Sequence, residues 1–210
     1  MLKKLCITSL PAFALLVAMP TVASATGYIE ARLVANQSEI EADGDKFEVD
    51  TTGYEFRGAF DINDQVGARF SYIGLDGDKV TFEGDDFDVD TTFKFLRIGP
   101  TIKFSDVGTN MKFYGAAEYV KFTVGAEGED DSEGGFDLAI GLADKGKTKL
   151  LWDAEVGYIK IQDSTGGFVQ GSIGYRITPS LALLVGIQSY AVEKGDITFM
   201  NGTAGVRFSF

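Results

Sequence analysis

From Met200 onward the chain alternates strictly. Met200, Gly202, Ala204, Val206, Phe208 and Phe210 take one side; Asn201, Thr203, Gly205, Arg207 and Ser209 take the other. A period of two is the signature of a strand whose faces meet different surroundings. The division recurs upstream. Ile29, Ala31, Leu33 and Ala35 alternate with Glu30, Arg32, Val34 and Asn36; Phe136, Leu138, Ile140 and Leu142 alternate with Asp137, Ala139 and Gly141. Trp152, Ala154, Val156 and Tyr158 likewise oppose Asp153, Glu155 and Gly157. The pattern predicts ten strands, over 27–38, 52–62, 66–74, 91–104, 111–124, 135–143, 149–161, 167–177, 181–192 and 197–210. The number falls to eight if 66–74 and 91–104 are not strands. No helix of useful length is predicted, so the fold class is all-β.

The connections are of two kinds. Residues 63–65, 105–110, 144–148 and 178–180 make short turns, whereas 39–51, 75–90 and 125–134 are expected to be long acidic loops. A repeat supports a hairpin as the building unit. Asp43-Gly44-Asp45-Lys46 returns as Asp76-Gly77-Asp78-Lys79, and Phe47-Glu48-Val49-Asp50-Thr51-Thr52 returns as Phe87-Asp88-Val89-Asp90-Thr91-Thr92. Each second half is followed by an arginine at the same distance, Arg57 or Arg97.

The start of the chain sets its destination. Lys3 and Lys4, the apolar stretch Leu5–Met19 and the small residues Ala23-Ser24-Ala25 form the three parts of a secretory signal peptide. Residues 1–25 are therefore expected to be removed, leaving 26–210 as one domain. Cys6, the only cysteine, lies inside the leader, so no disulfide is expected in the mature chain. The formal net charge is −12, and loss of the two leader lysines makes the remainder more acidic. Such a balance argues against nucleic acid as a partner.

The last strand, ending on Phe208 and Phe210, resembles the C-terminal signature of bacterial outer-membrane β-barrels, which the assembly machinery reads. That ending, the leader and the turn-and-loop asymmetry separate two barrels that alternation alone leaves equal. One is soluble, with its apolar face inward; the other is transmembrane, with that face outward. Aromatics near strand ends (Tyr28, Tyr54, Tyr72, Tyr119, Tyr158, Tyr175, Phe208 and Phe210) suit interface girdles. The expected fold is a transmembrane antiparallel up-and-down β-barrel. As a whole the chain resembles the small outer-membrane barrels of the opacity-type and OmpA/OmpX-like porin families. The resemblance implies a Gram-negative outer membrane, with lipid and lipopolysaccharide around the barrel. It also implies periplasmic chaperones and the barrel-assembly machinery as partners, with Phe208 and Phe210 as the assembly signal.

With the apolar face outward, Arg32, Arg57, Arg69, Arg97, Lys112, Arg176 and Arg207 point into the lumen, as do Glu30, Glu55, Asp61, Glu118, Asp137, Asp153 and Glu155. Charges of both signs in a narrow space are expected to pair. Catalysis is not expected: the chain has no histidine, the usual base or partner in barrel enzymes. Gly141–Thr148 matches the phosphate-loop pattern, but a strand follows it where that motif needs a helix. Asp76–Val80 begins like a calcium loop and lacks its glycine. No cofactor or structural metal is expected. Two functions remain: a narrow, weakly cation-preferring porin or largely closed structural barrel, and a surface adhesin or binding protein. In the second, acidic extracellular loops would make the contacts, with divalent cations as candidate partners.

Overall fold

A computed structural model describes residues 26–42, 45–82, 85–126, 129–145, 148–192 and 197–210. The proposed leader, residues 1–25, lies outside the described residues, as do Asp43-Gly44 of the repeat and Gly146-Lys147 of the phosphate-loop look-alike. The described chain contains ten strands and no helix: β1 (Gly27–Ala42), β2 (Asp45–Asp61), β3 (Val66–Phe82), β4 (Asp85–Val107), β5 (Met111–Ala126), β6 (Glu129–Asp144), β7 (Leu150–Ile161), β8 (Ser164–Arg176), β9 (Leu181–Val192) and β10 (Ile197–Ser209). Each strand pairs antiparallel with its sequence neighbours, and β1 pairs with β10 to close a barrel. The topology is up-and-down with ten strands, not eight.

Closure satisfies every edge of the sheet. The seam runs from Tyr28 opposite Ser209 to Ile40 opposite Ile197. It is extended at one end by two backbone bonds, from Gly27 N to Phe210 O (3.0 Å) and from Phe210 N to Gly27 O (3.1 Å). Short turns lie at this same rim, hereafter the turn rim. In the β2–β3 turn, Asn63 Oδ1 accepts the amides of Gln65 (2.9 Å) and Val66 (2.8 Å), the local bond that makes Asn a turn residue. In the β8–β9 turn, Thr178 Oγ1 does the same for the Leu181 amide at 3.0 Å.

The opposite, hairpin rim departs from expectation. The acidic stretches 39–51, 75–90 and 125–134 are mostly strand, not loop: β1 continues to Ala42, β2 begins at Asp45, β3 ends at Phe82 and β4 begins at Asp85. The reason is pairing. Val49, Thr51, Val80, Thr91 and Thr92 are β-formers, and Phe47 stacks on Phe82 with centroids 4.8 Å apart. Glu39, Glu48, Asp50, Asp88 and Asp90 are all exposed, and the ladder continues past them with register shifts between Glu48 and Thr52 and between Gly77 and Lys79. Only the second half of the repeat falls on equivalent parts of β2 and β4, where Thr51 and Thr91 are buried and Arg57 and Arg97 share the inner face; of the first half, Asp45-Lys46 begins β2 whereas Asp76–Lys79 lies within β3.

Curvature has a cost that glycine removes. At Gly53 a Cβ would lie 1.9 Å from the carbonyl oxygen of Gly74, and at Gly135 a Cβ would lie 1.9 Å from that of Lys160. Both glycines are on the inner face, where neighbouring strands approach most closely as the sheet bends. The obstacle is backbone and cannot swing aside. Gly135→Ala should therefore destabilise the barrel by at least the ~1–3 kcal/mol typical of overpacking. A urea titration of the refolded protein, followed by its heat-dependent gel mobility, measures it. A change under about 0.5 kcal/mol, the size of an indifferent substitution, would show that the strands can part there.

Candidate functional site

Burial in this molecule is inside out. Leu33 is 74% exposed and Ile187 71%, while Glu30, Glu55 and Asp137 are 1%, 1% and 0% exposed. Exposed Ile140, Val156, Val169, Ile173, Leu183 and Val185 continue the apolar surface around the wall. So large an exposed apolar surface is foreign to a soluble monomer and matches the lipid belt of a membrane barrel. The polar residues that would ordinarily face water line the lumen instead, and they are the candidate site.

Toward the turn rim, β1, β2 and β10 bring a first ionic group together. Glu30 receives both Arg32 and Arg207, and Arg207 also lies 4.1 Å over the Tyr28 ring. Glu55 is 3.9 Å from Arg32 and 3.7 Å from Arg57. Tyr28 is thus a lumen residue and not part of an outer girdle: it shares the inner face with Glu30, and the arginine on its ring fixes it there. Asp61 is likewise not inside. It is exposed at the end of β2 and accepts the Thr26 hydroxyl at 2.7 Å.

A second group crosses the lumen. Arg97 on β4 reaches Asp137 (2.7 Å), Glu118 (2.8 Å) and Glu155 (3.4 Å) on β6, β5 and β7. Arg69 on β3 binds Glu118 and Glu155 as well. Glu155 also accepts from Tyr114 (2.9 Å) and Gln170 (2.8 Å). Two arginines and three carboxylates thereby tie together five consecutive strands, β3 to β7. An amide ladder joins Glu55 of the first group to the seam: Gln188 donates to Glu55 (3.0 Å), Asn201 to Gln188 (3.0 Å) and Asn36 to Asn201 (2.6 Å). The space touching Tyr28, Arg57, Arg69, Arg97 and Glu118 amounts to about 10 Å³, close to the smallest volume that holds one water.

Not every charged residue assigned to the lumen joins these groups. Asp153 accepts the Ser172 hydroxyl at 3.0 Å and is half-buried on the inner face of β7. Arg176 and Lys112 are half-buried near the turn rim on β8 and β5. Phe208 and Phe210 face outward, 53% and 46% exposed. Among the described residues no group of three or more acidic, His or Cys side chains is arranged to hold a metal ion.

The lumen is also not charged throughout. Between the ionic level and the hairpin rim the inner face turns apolar. Val34, Val49, Ile73, Leu75 and Phe93 form one buried cluster; Val120, Ile159, Ile161, Phe168 and Tyr190 belong to another. Phe95, Phe122 and Phe199 pack against both. Arg97 lies 4.5 Å under the Phe168 ring and donates to the Tyr190 hydroxyl at 3.4 Å, so the ionic level is the floor of the aromatic one.

No family model matches the chain, and no curated protein matches it. Solved structures do. The translocator domain of the autotransporter NalP from Neisseria meningitidis superposes with a TM-score of 0.52 at 10% identity, over 88% of each chain. The β domain of the Bordetella autotransporter BrkA gives 0.52 at 12% identity, over 89% of this chain and 100% of that one. The outer membrane protein OprG from Pseudomonas aeruginosa gives 0.46 at 13% identity, over 89% and 96%. The fold is that of the outer-membrane β-barrels.

Proposed function

We infer that this chain, which has the outer-membrane β-barrel fold, resides in the outer membrane as a structural barrel closed part-way along its lumen. The observation that carries this reading is the Arg69–Arg97 group. It spans β3 to β7 through five ionisable side chains, and the space touching Arg69, Arg97 and Glu118 is only about 10 Å³. An open pore needs a continuous aqueous lumen, and moving these side chains aside would leave charges unpaired in a narrow interior. No hydrolytic role is assigned, since the chain has no histidine to serve as base.

Planar-bilayer recording tests it. The expected trace has no sustained single-channel openings, and a large steady conductance would overturn the closed lumen. The small leak that remains should prefer cations, because acids such as Glu48, Asp50, Asp88, Asp90 and Asp131 crowd the hairpin rim and a mouth of one sign concentrates counter-ions. The preference should fade near 1 M salt, where screening acts within about 3 Å. Anion preference in a salt gradient would remove the rim as the selecting element.

A second reading, surface binding, is favoured by the form of the hairpins. Their acids are held on paired strands, with Lys46 bound to Glu39 at 2.6 Å and Lys94 to Asp130 at 2.9 Å. Rigid rows of carboxylates suit divalent cations bridging to lipopolysaccharide phosphates. Retention of the protein on immobilised lipopolysaccharide should then need calcium or magnesium and be lost with chelator; retention unaffected by chelator would exclude the bridge.

A further inference from the structure

We propose that the aromatic level of the lumen is a binding site for a small amphipathic cation, an aryl or alkyl amine that enters from the hairpin rim. The inference rests on the cavity and does not require the ionic level below it to be closed.

The cavity holds about 320 Å³, within the size range of small-molecule sites, which barrel mouths commonly provide. Its wall is a set of rings in fixed mutual contact. Phe122 meets Phe93, Phe95 and Phe199 at centroid distances of 6.3, 6.1 and 5.7 Å, and Tyr190 meets Phe95 edge-on at 5.5 Å. Ile73 and Leu75 face them from β3, and Ile159 and Ile161 from β7. Rings locked by one another keep the space open at little entropic cost to a ligand. Their faces also attract an organic cation.

The ends of the cavity set orientation. Below, Asn201 and Tyr190 border it, and both are already committed, to Gln188 and Arg97. At the mouth stand Asp131 and Glu133, the only charged side chains lining the cavity among the described residues. A ligand with its apolar body against Phe122 and Phe199 and its ammonium at the two carboxylates satisfies both regions. A carboxylate in the same pose meets repulsion at the rim. The inner face of β6 supplies the charge: Asp131 and Glu133 line the mouth.

The experiment compares 4-phenylbutylamine with 4-phenylbutyrate, two water-soluble probes alike except for the charged end. Binding to the full chain in nanodiscs is measured by calorimetry, with empty nanodiscs subtracted. The amine should bind about tenfold more tightly, as when attraction to two partly solvated carboxylates is replaced by repulsion. Asp131→Asn with Glu133→Gln should bring the two probes to within about twofold, by removing that same rim term. Val124→Trp, which fills the mouth from β5, should abolish binding of both while heat-dependent gel mobility stays unchanged. Equal binding of amine and acid to the parent chain would overturn the cationic specificity. Undiminished binding to a correctly folded Val124→Trp variant would overturn the site itself.

Discussion

Replacing Arg97 by methionine should destabilise the barrel by about 3–5 kcal/mol, the cost of breaking a buried ion pair from one side. Arg97 is 3% exposed and holds Asp137, which is fully buried. Without the guanidinium that carboxylate keeps no cation in contact, and Glu118 and Glu155 are left to share Arg69. Removing Asp137 as well should be milder. Arg97→Met with Asp137→Leu takes away the carboxylate left without a cation, while Glu118 and Glu155 still share Arg69. An exposed pair supplies the contrast: Lys46 and Glu39 are 64% and 48% exposed, and Glu39→Gln should cost no more than ~1 kcal/mol. Urea titration of protein folded into vesicles ranks the three. A loss under about 1 kcal/mol for Arg97→Met would mean that the lumen is wetter than its packing indicates, with water in place of the missing partner.

Val156→Arg should cost about 2–4 kcal/mol, the penalty for a basic side chain at mid-membrane on the lipid face of a barrel. Val156 is 53% exposed and sits between Ile140 and Val169, themselves 51% and 57% exposed. The cross-strand neighbours Ile140 and Val169 cannot receive a guanidinium. The same change at Tyr175, near the turn rim and 55% exposed, should cost only about 0–1 kcal/mol, since the interface is within reach of a long side chain. The test is the same titration in vesicles. Equal costs at the two positions would mean that the exposed apolar wall is covered by something other than hydrocarbon.

The wall was legible in the sequence because lipid and lumen differ in kind. Ile140 and Asp137, or Val156 and Glu155, cannot exchange faces, so alternation fixed strand identity and face on β6, β7, β8 and β10. At the hairpin rim that contrast reverses: Glu48 and Asp50 meet water on the outer face while Val49 is buried inside, so the lipid-out, polar-in pattern no longer marks β2 as continuing upward. Depth was the other quantity missing. Phe93 and Phe95 share a face with Arg97, and Tyr28 with Glu30; a period of two says which residues lie on one side and not how far along the barrel each stands. The aromatic level had one sequence signal. Phe93-Lys94-Phe95-Leu96 and Ile159-Lys160-Ile161 place large apolar residues on the face that elsewhere carries charge, where a uniformly wet lumen would have none.

The seam between β1 and β10 bears on the order of events as the protein forms. Glu30 and Arg207, 177 residues apart, meet across it, as do Asn36 and Asn201 at 165. Every other strand pairing joins sequence neighbours, so nine hairpin contacts can form locally and in succession while this one waits for nearly the whole chain. Until then both ends of a curling sheet are open, each able to take a strand from another molecule. Non-local closure of this kind is the slow step expected of high-contact-order folds. The interval before it is when the chain most needs to be kept apart from its own copies.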